Sequence, residues 1–134
     1  DNIYYLRAVK DPLQMQKILI VEDHARMASL MEKGLGKHGF ATAIAKDGEE
    51  ALQRVQNDNF DLMLLDINLP VKDGWTVVQE LRHQGGQLPI IVVSARSDIP
   101  ETIATGDYAV DGYISKPFKV SYLIAQVQEK LENS

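Results

Sequence analysis

Residues 60–70 read Phe-Asp-Leu-Met-Leu-Leu-Asp-Ile-Asn-Leu-Pro, and this stretch decides the fold. Leu62 to Leu65 form an unbroken apolar run of the right length for a strand that is buried on both faces. Asp66 follows directly, so we expect its carboxylate at the carboxyl edge of a central strand, where ligands bind in open α/β sheets. The alternative is an ordinary Asp that begins a turn. The other segments of the chain distinguish a ligand-binding Asp66 from a turn aspartate.

Four further segments read as strands. Residues 18–21 and 89–94 are strongly apolar and β-branched, which is typical of buried strands. Residues 40–45 are rich in Ala, which favours a place near the edge of the sheet, and residues 112–115 form a short last strand.

Helical patterns alternate with these strands. Met27, Leu30, Met31 and Leu35 recur at helical spacing in the first helix, in which close packing on the sheet could explain Gly34. The helix near residues 98–105 is short and poor in large apolar residues, so it should be the least firmly docked. The last helix begins near Val120 and is clearly amphipathic.

Three of the predicted helices are preceded by an aspartate that can cap the N-terminus. Asp47 and Asp98 each precede a Glu by three residues, which is the spacing of a capping box, and Asp73 can cap the third helix. Five strands alternating with five helices predict an α/β fold, a doubly wound parallel sheet with helices on both faces.

Size and composition indicate a single globular domain. Of the 134 residues, 1–14 do not fit the alternating pattern, and we interpret them as an N-terminal extension to a domain spanning 15–134. The absence of cysteine excludes disulfides and thiolate metal sites. The net charge of −5 argues against direct nucleic-acid binding by this domain. Without a long apolar run or a visible signal peptide, we expect a cytoplasmic protein that does not enter the membrane.

The polar residues that follow the strands should converge. Because parallel strands end at one edge of the sheet, we expect a cluster there, formed by Glu22, Asp23, Asp66, Ser94 and Lys116. Each has an ordinary alternative: the first two acids could cap a helix, the serine could satisfy a loop, and the lysine could be solvated. Three carboxylates at one edge, however, repel one another and need a cation.

The residue types in this cluster suit phosphoryl transfer. Oxygen ligands without His or Cys favour a hard divalent ion such as Mg²⁺. Lys116 offers a point charge, and Ser94 a hydroxyl, to phosphoryl oxygens. Asp66 is then the candidate nucleophile, since aspartyl phosphate is a known covalent species. No Gly-rich nucleotide-binding loop is present in the sequence, so the donor should be a small phosphodonor or another protein.

Four motifs occur in one order and spacing. They are Ile-Val-Glu-Asp at 20–23, Leu-Asp-Ile-Asn-Leu-Pro at 65–70 followed by Asp-Gly at 73–74, Val-Ser-Ala at 93–95, and Tyr-Ile-Ser-Lys-Pro-Phe at 113–118. On these motifs the chain resembles the receiver domain of two-component response regulators, from residue 16 to about 133. The resemblance implies a flavodoxin-like strand order of 2-1-3-4-5.

The resemblance also implies roles for the acidic residues. Asp66 would accept a phosphoryl group from the phosphohistidine of a sensor histidine kinase or a phosphotransfer protein. Asp23, Asp66 and the backbone carbonyl of Asn68 would ligate Mg²⁺, and Glu22 would act through water.

The resemblance further implies which residues hold the phosphoryl group and which residue changes position after phosphorylation. Lys116 and Ser94 would hold phosphoryl oxygens, and Tyr113 would swing inward so that the surface of the fourth helix, last strand and fifth helix changes. An output domain or downstream protein would respond to that surface. The Lys116-Pro117 bond matches one that is cis in this family. The protein would act catalytically only on itself, by phosphotransfer and autodephosphorylation, and would not be a turnover enzyme.

Some positions depart from the family pattern. The general pattern favours the winged-helix transcription-factor branch, whose phosphorylation-dependent homodimer pairs an acid with an Arg. Gly112 and Gln126 stand at those two places, so the usual dimer lacks both partners. Asn68 and Arg96 occupy positions that tune phosphate lifetime in the family.

Three other classes of protein compete with this interpretation. A phosphatase of the haloacid dehalogenase type needs a second acid two residues after its nucleophile, where this chain has Asn68. An FMN-binding flavodoxin needs a hydroxyl-rich phosphate loop after the first strand, whereas residues 22–25 are acidic. A degenerate receiver that only docks partners is disfavoured because all of the phosphorylation residues are present.

Overall fold

The computed structural model describes residues 15–133, in which five strands alternate with five helices. The interpretation of residues 1–14 as an extension falls outside the described residues. In chain order the elements are β1 Lys17–Val21, α1 Ala25–Lys37, β2 Ala41–Ala45, α2 Gly48–Asn57, β3 Leu62–Leu65, α3 Gly74–His83, β4 Ile90–Ser94, α4 Ile99–Ala104, β5 Gly112–Ser115 and α5 Val120–Glu132.

All strand pairs are parallel, and the sheet has the order β2-β1-β3-β4-β5. The predicted doubly wound α/β fold and its strand order are therefore confirmed. β2 lies at an edge, as its Ala-rich sequence indicates, and β3 lies in the centre with all four residues buried.

Alternate residues of β3 serve two separate cores, because successive side chains of a strand point to opposite faces. Leu62 and Leu64 pack in the core beneath α1 and α5. Met63 and Leu65 pack in the core beneath α2, α3 and α4. An unbroken apolar run is thus what a central strand between two helical layers requires.

Two of the three predicted caps are present. The Asp47 carboxylate accepts a hydrogen bond from the Glu50 amide at 2.8 Å, and the Asp73 carboxylate accepts one from the Thr76 amide at 2.9 Å. The third prediction is wrong, because the Asp98 side chain makes no cap hydrogen bond to α4. As predicted, α4 is short, and Ile99 is its single buried residue.

Helix α1 differs from the sequence prediction at two positions. Leu30 is 46% exposed and does not belong to the inner face. Gly34 is buried, but it packs against helix α5 and not against the sheet: a Cβ added there would lie 2.5 Å from Val120 Cγ1. The glycine therefore sets how closely the two helices approach.

Within residues 15–133, none of the helices combines the length and the apolar character that crossing a bilayer requires.

The two glycines inside α1 provide a matched pair for a stability test. Gly36 has nothing within 4 Å of an added Cβ, so Gly36→Ala should raise the free energy of unfolding by about 0.5–1 kcal/mol through helix propensity. Gly34→Ala should instead lower it by about 1 kcal/mol or more, because the methyl group overpacks the contact with Val120. Urea unfolding measures both, and equal shifts of the two variants would contradict the packing assigned to Gly34.

Candidate functional site

The carboxyl ends of β1 and β3 lie side by side. Val21 and Leu65 are register partners, and the Asp66 amide donates to the Val21 carbonyl at 3.0 Å. The residues that follow these strands, Glu22 and Asp66, therefore emerge at the same edge and are both buried. This confirms the predicted convergence of the two strand ends.

Lys116, which follows β5, links the two acids. Its Nζ donates to Asp66 Oδ2 at 3.0 Å and makes a short contact with Glu22 Oε1. The side chains of Lys116, Asp66 and Glu22 are 14%, 8% and 2% exposed. An ion triad so poorly solvated is held by mutual compensation, because removing one partner leaves uncompensated buried charge.

The two carboxylates keep Lys116 charged. Burial by itself would lower the pKa of this lysine, but its hydrogen bonds to Glu22 and Asp66 outweigh burial and raise the pKa above the ordinary value. The site therefore presents a permanent ammonium group beside the Asp66 carboxylate at neutral pH.

The second oxygen of Asp66 is bound by the loop that follows β3. Asp66 Oδ1 accepts a hydrogen bond from the Asn68 amide at 3.3 Å. The loop turns back into α3 at Gly74, where an added Cβ would lie 2.5 Å from the Asp66 carbonyl oxygen and 2.7 Å from Ile67 Cα. Only glycine lets the helix begin this close to the strand end, so the start of α3 fixes the position of the Asp66 backbone.

Ser94 ends β4 at the same edge. The residue is 1% exposed, and its Oγ accepts a hydrogen bond from the Arg96 amide at 3.3 Å. Arg96 in turn reaches the loop after β3, since its Nη1 lies 3.4 Å from Asn68 Oδ1. The described contacts thus connect the ends of β3 and β4.

Asp23 differs from the other acids because its side chain is partly exposed, at 31%. Its Oδ1 lies 3.2 Å from His24 Nδ1, which is also 3.4 Å from Glu22 Oε2. Among the described residues, Glu22, Asp23 and His24 form a group whose ligand atoms all lie within 4.8 Å of one another. Asp66 is not in this group. Sequence reasoning missed His24, although its place next to two acids was a usable signal.

Tyr113 in β5 is half-buried and packs against the core beneath α2, α3 and α4, together with Ile103 and Tyr108. Tyr108 stacks on the single tryptophan of the chain, Trp75, with ring centroids 4.4 Å apart. No described contact joins Tyr113 to the acidic residues. The Lys116-Pro117 bond is cis, as the sequence motif indicated.

The donor set fits a hard divalent cation. The carboxylates of Glu22, Asp23 and Asp66 bring three negative charges to one edge, and Lys116 supplies one positive charge against them. Their oxygens are ligands of the kind that Mg²⁺ prefers. Chemically, the arrangement offers a carboxylate nucleophile beside a fixed positive charge, which is suited to accepting an electrophilic phosphorus.

Comparison with known proteins gives one consistent result. The response regulator receiver domain family matches residues 18–128. A curated relative, the transcriptional regulatory protein PrrA of Mycobacterium tuberculosis, is 38% identical over 115 residues, which are 86% of this chain and 49% of PrrA. The chain therefore spans about half the length of this relative.

Solved structures agree with the sequence comparison. The receiver domain protein from Methanospirillum hungatei, described as CheY-like, is 26% identical with a TM-score of 0.83, over 90% of this chain and 96% of that one. The response regulator TrrA from Thermotoga maritima, solved in complex with Mg²⁺-BeF, is 31% identical with a TM-score of 0.78, over 86% and 98% of the two chains.

Two lysines of this chain each bridge two acids, which allows a matched test of burial. Lys116→Met should lower the free energy of unfolding by about 3 kcal/mol, because it leaves two carboxylates buried without a cation. Lys72→Met should have a much smaller effect, since Glu49 and Glu80 remain 48% and 39% exposed. Urea unfolding in the absence of divalent ions measures both, and equal losses would show that the Lys116 contacts are ordinary surface pairs.

Proposed function

Because this chain belongs to the family of response regulator receiver domains, which are parts of two-component systems, we propose that it is a phosphorylation-dependent signalling switch. It accepts a phosphoryl group on Asp66, with Mg²⁺, from a sensor histidine kinase or a phosphotransfer protein. The phosphorylated state then changes the surface formed by α4, β5 and α5 and so controls an output domain or a downstream protein.

One observation carries this proposal above the others. Asp66 is 6% exposed and lies at the carboxyl edge of the central strand. Its Oδ2 lies 3.0 Å from the Lys116 ammonium nitrogen. A structural aspartate at a turn gains nothing from a buried lysine that it must share with a second acid. An acceptor whose phosphorylated product carries more negative charge than the free carboxylate does gain from it.

In the proposed transfer, the phosphoryl group moves from the donor nitrogen to Asp66. A carboxylate oxygen of Asp66 forms a bond to phosphorus, the bond from phosphorus to the donor nitrogen of the phosphohistidine breaks, and the leaving imidazole takes up a proton. Lys116 neutralises charge on the transferred group, and the buried Ser94 hydroxyl donates to one of its oxygens. When bound, Mg²⁺ supplies further charge neutralisation, held by Asp23, Asp66 and the Asn68 carbonyl, with Glu22 acting through water.

The proposed switch connects the site to the output surface through Ser94 and Tyr113. Ser94 precedes α4, the least buried helix, and Lys116 follows β5, which contains Tyr113. In the proposed switch, the Ser94 hydroxyl moves toward the phosphoryl group and the Tyr113 ring rotates inward, which changes the surface between α4 and α5. Such a switch needs only a differential interaction of the phosphoryl group with two states that differ by a few kcal/mol.

The relatives suggest an output partner for this domain. PrrA is a transcriptional regulatory protein of which the match covers 49%, so we propose that an output module, and not this domain, contacts DNA. A phosphorylation-dependent homodimer would need contacts other than the acid–arginine pair, since Gly112 and Gln126 stand at those positions. The chemistry acts on the chain's own Asp66 and is reversed by autodephosphorylation, without substrate turnover.

Phosphorylation is tested by incubating the protein with acetyl phosphate and Mg²⁺ and measuring the mass of the intact chain. The wild-type protein should gain one phosphoryl group, and Asp66→Asn should gain none. Asp61→Asn is the matched control, because Asp61 lies at the opposite end of the same strand. Full labelling of the Asp66 variant would contradict the assignment of the acceptor.

The metal assignment is tested by titrating Mg²⁺ and following the emission of Trp75, the single tryptophan, which is two residues beyond Asp73 in the segment after β3. Asp23→Asn should weaken Mg²⁺ binding by about tenfold or more, since loss of even an outer-shell partner of a metal ligand typically costs about that much. Asp107→Asn, which changes an exposed acid in the loop before β5, should leave binding unchanged. Equal binding curves for both variants would rule out Asp23 as a ligand.

A further inference from the structure

His24 adds a nitrogen donor to the acidic residues that follow β1. Its side chain is 75% exposed, so packing does not hold the imidazole ring in place. The ring nonetheless lies against both acids, with Nδ1 3.2 Å from Asp23 Oδ1 and 3.4 Å from Glu22 Oε2. Contacts with two carboxylates therefore set the position of the ring, and one of these carboxylates, Asp23, is a proposed Mg²⁺ ligand.

The start of α1 directs these side chains to one place. His24 is the N-cap residue of α1, but its side chain makes no cap hydrogen bond. Its backbone amide donates to Glu22 Oε2 at 3.2 Å, which turns the chain back toward the buried acid. The two oxygens of Glu22 thus have different partners, since Oε1 contacts Lys116 and Oε2 faces His24. One oxygen of a buried carboxylate is directed to the imidazole.

The separations between these atoms match those of ligands around a small divalent ion. Metal–ligand bonds of about 2.1 Å that meet at roughly 90–109° place neighbouring ligand atoms about 3.0–3.4 Å apart. Both distances from His24 Nδ1 fall in this range. The ligand atoms of Glu22, Asp23 and His24 all lie within 4.8 Å of one another. Three consecutive residues can therefore bind one ion with little rearrangement.

An imidazole ligand changes which metal ion a site prefers. Carboxylate and carbonyl oxygens suit Mg²⁺, whereas imidazole nitrogen suits Zn²⁺, Ni²⁺ and Cu²⁺. The affinity of nitrogen and oxygen sites also rises from Mn²⁺ toward Cu²⁺ along the first-row divalent ions. A nitrogen ligand next to two carboxylates therefore adds more to the binding of a late first-row ion than to the binding of Mg²⁺.

We propose that His24 is a specificity-determining residue of the metal site, with which Glu22, Asp23 and His24 together bind a late first-row divalent ion such as Zn²⁺. Asp66 lies outside this group of ligand atoms, so the two ions share Asp23 and not the acceptor. Zn²⁺ at residues 22–24 therefore competes with Mg²⁺ for Asp23. This inference rests on the proposed function, in which Asp23 ligates Mg²⁺.

Calorimetric titrations of the full chain with Zn²⁺ and with Mg²⁺ measure the ratio of the two affinities. His24→Ala should lower the ratio of Zn²⁺ to Mg²⁺ affinity by about tenfold or more, because removing even a partner of a metal ligand has an effect of that size. His83→Ala is the matched control and should leave the ratio unchanged, since His83 is an exposed histidine at the far end of α3. Urea unfolding checks that both variants fold.

Nuclear magnetic resonance of the histidine side chains tests the nitrogen ligand directly. The chain contains three histidines, which are His24, His38 and His83. One equivalent of Zn²⁺ should shift the ring nitrogen resonances of His24 and leave those of the other two in place. A saturating concentration of Zn²⁺ should also raise the Mg²⁺ concentration that is needed for the half-maximal response of Trp75 emission.

Three results would overturn the inference alone: an unchanged affinity ratio in His24→Ala, Zn²⁺-induced shifts at His38 or His83 with none at His24, or a Mg²⁺ response that Zn²⁺ does not alter. None of these measurements uses a phosphodonor, so each is independent of phosphorylation. Failure of the wild-type protein to be labelled by acetyl phosphate would instead overturn the proposed function, while the affinity ratio and the histidine shifts would still report whether His24 binds Zn²⁺.

Discussion

A buried ammonium group shared by two carboxylates is the interaction on which this site depends. Lys116 lies between Glu22 and Asp66, and the three side chains come from the ends of β5, β1 and β3. Because each charge is poorly solvated, none of the three can leave without a large cost in free energy. The triad therefore ties three strand ends together and places a positive charge next to the Asp66 carboxylate.

The elements around this triad differ in how tightly they are packed: the loop after β3 is tightly packed, and α4 is not. The loop after β3 is wedged against its neighbours: a Cβ added to Gly48 would lie 2.0 Å from the Lys72 carbonyl oxygen, and one added to Gly74 would meet the Asp66 backbone. By contrast, α4 buries only Ile99 and lacks its side-chain cap. A weakly docked helix is the element that a local change of charge can move at low cost. The proposed acceptor, Asp66, thus lies next to tightly packed backbone on one side and a helix with little buried surface on the other.

Sequence reasoning succeeded wherever one residue's role is set by its neighbours along the chain. The caps at Asp47 and Asp73 are local hydrogen bonds, so residue type and spacing were sufficient to predict them. It failed where a competing partner was involved. Asp98 has the same local pattern, but Arg96 takes both of its oxygens, and no propensity rule weighs that alternative. Close packing on the sheet is the explanation that the sequence offers for Gly34, whereas helix α5 is what approaches it.

The sequence by itself determined the layered α/β architecture, because hydrophobic periodicity and turn residues specify each element, and parallel strands must end at one edge. It also indicated that Asp66, Ser94 and Lys116 would meet there. Only the tertiary structure decided how these groups pair: that Glu22 is buried against Lys116, that Asp23 stays partly exposed beside His24, and that Arg96 reaches across to Asn68. The physical reason is that pairing depends on distances and desolvation between segments remote in sequence, which a linear pattern does not contain.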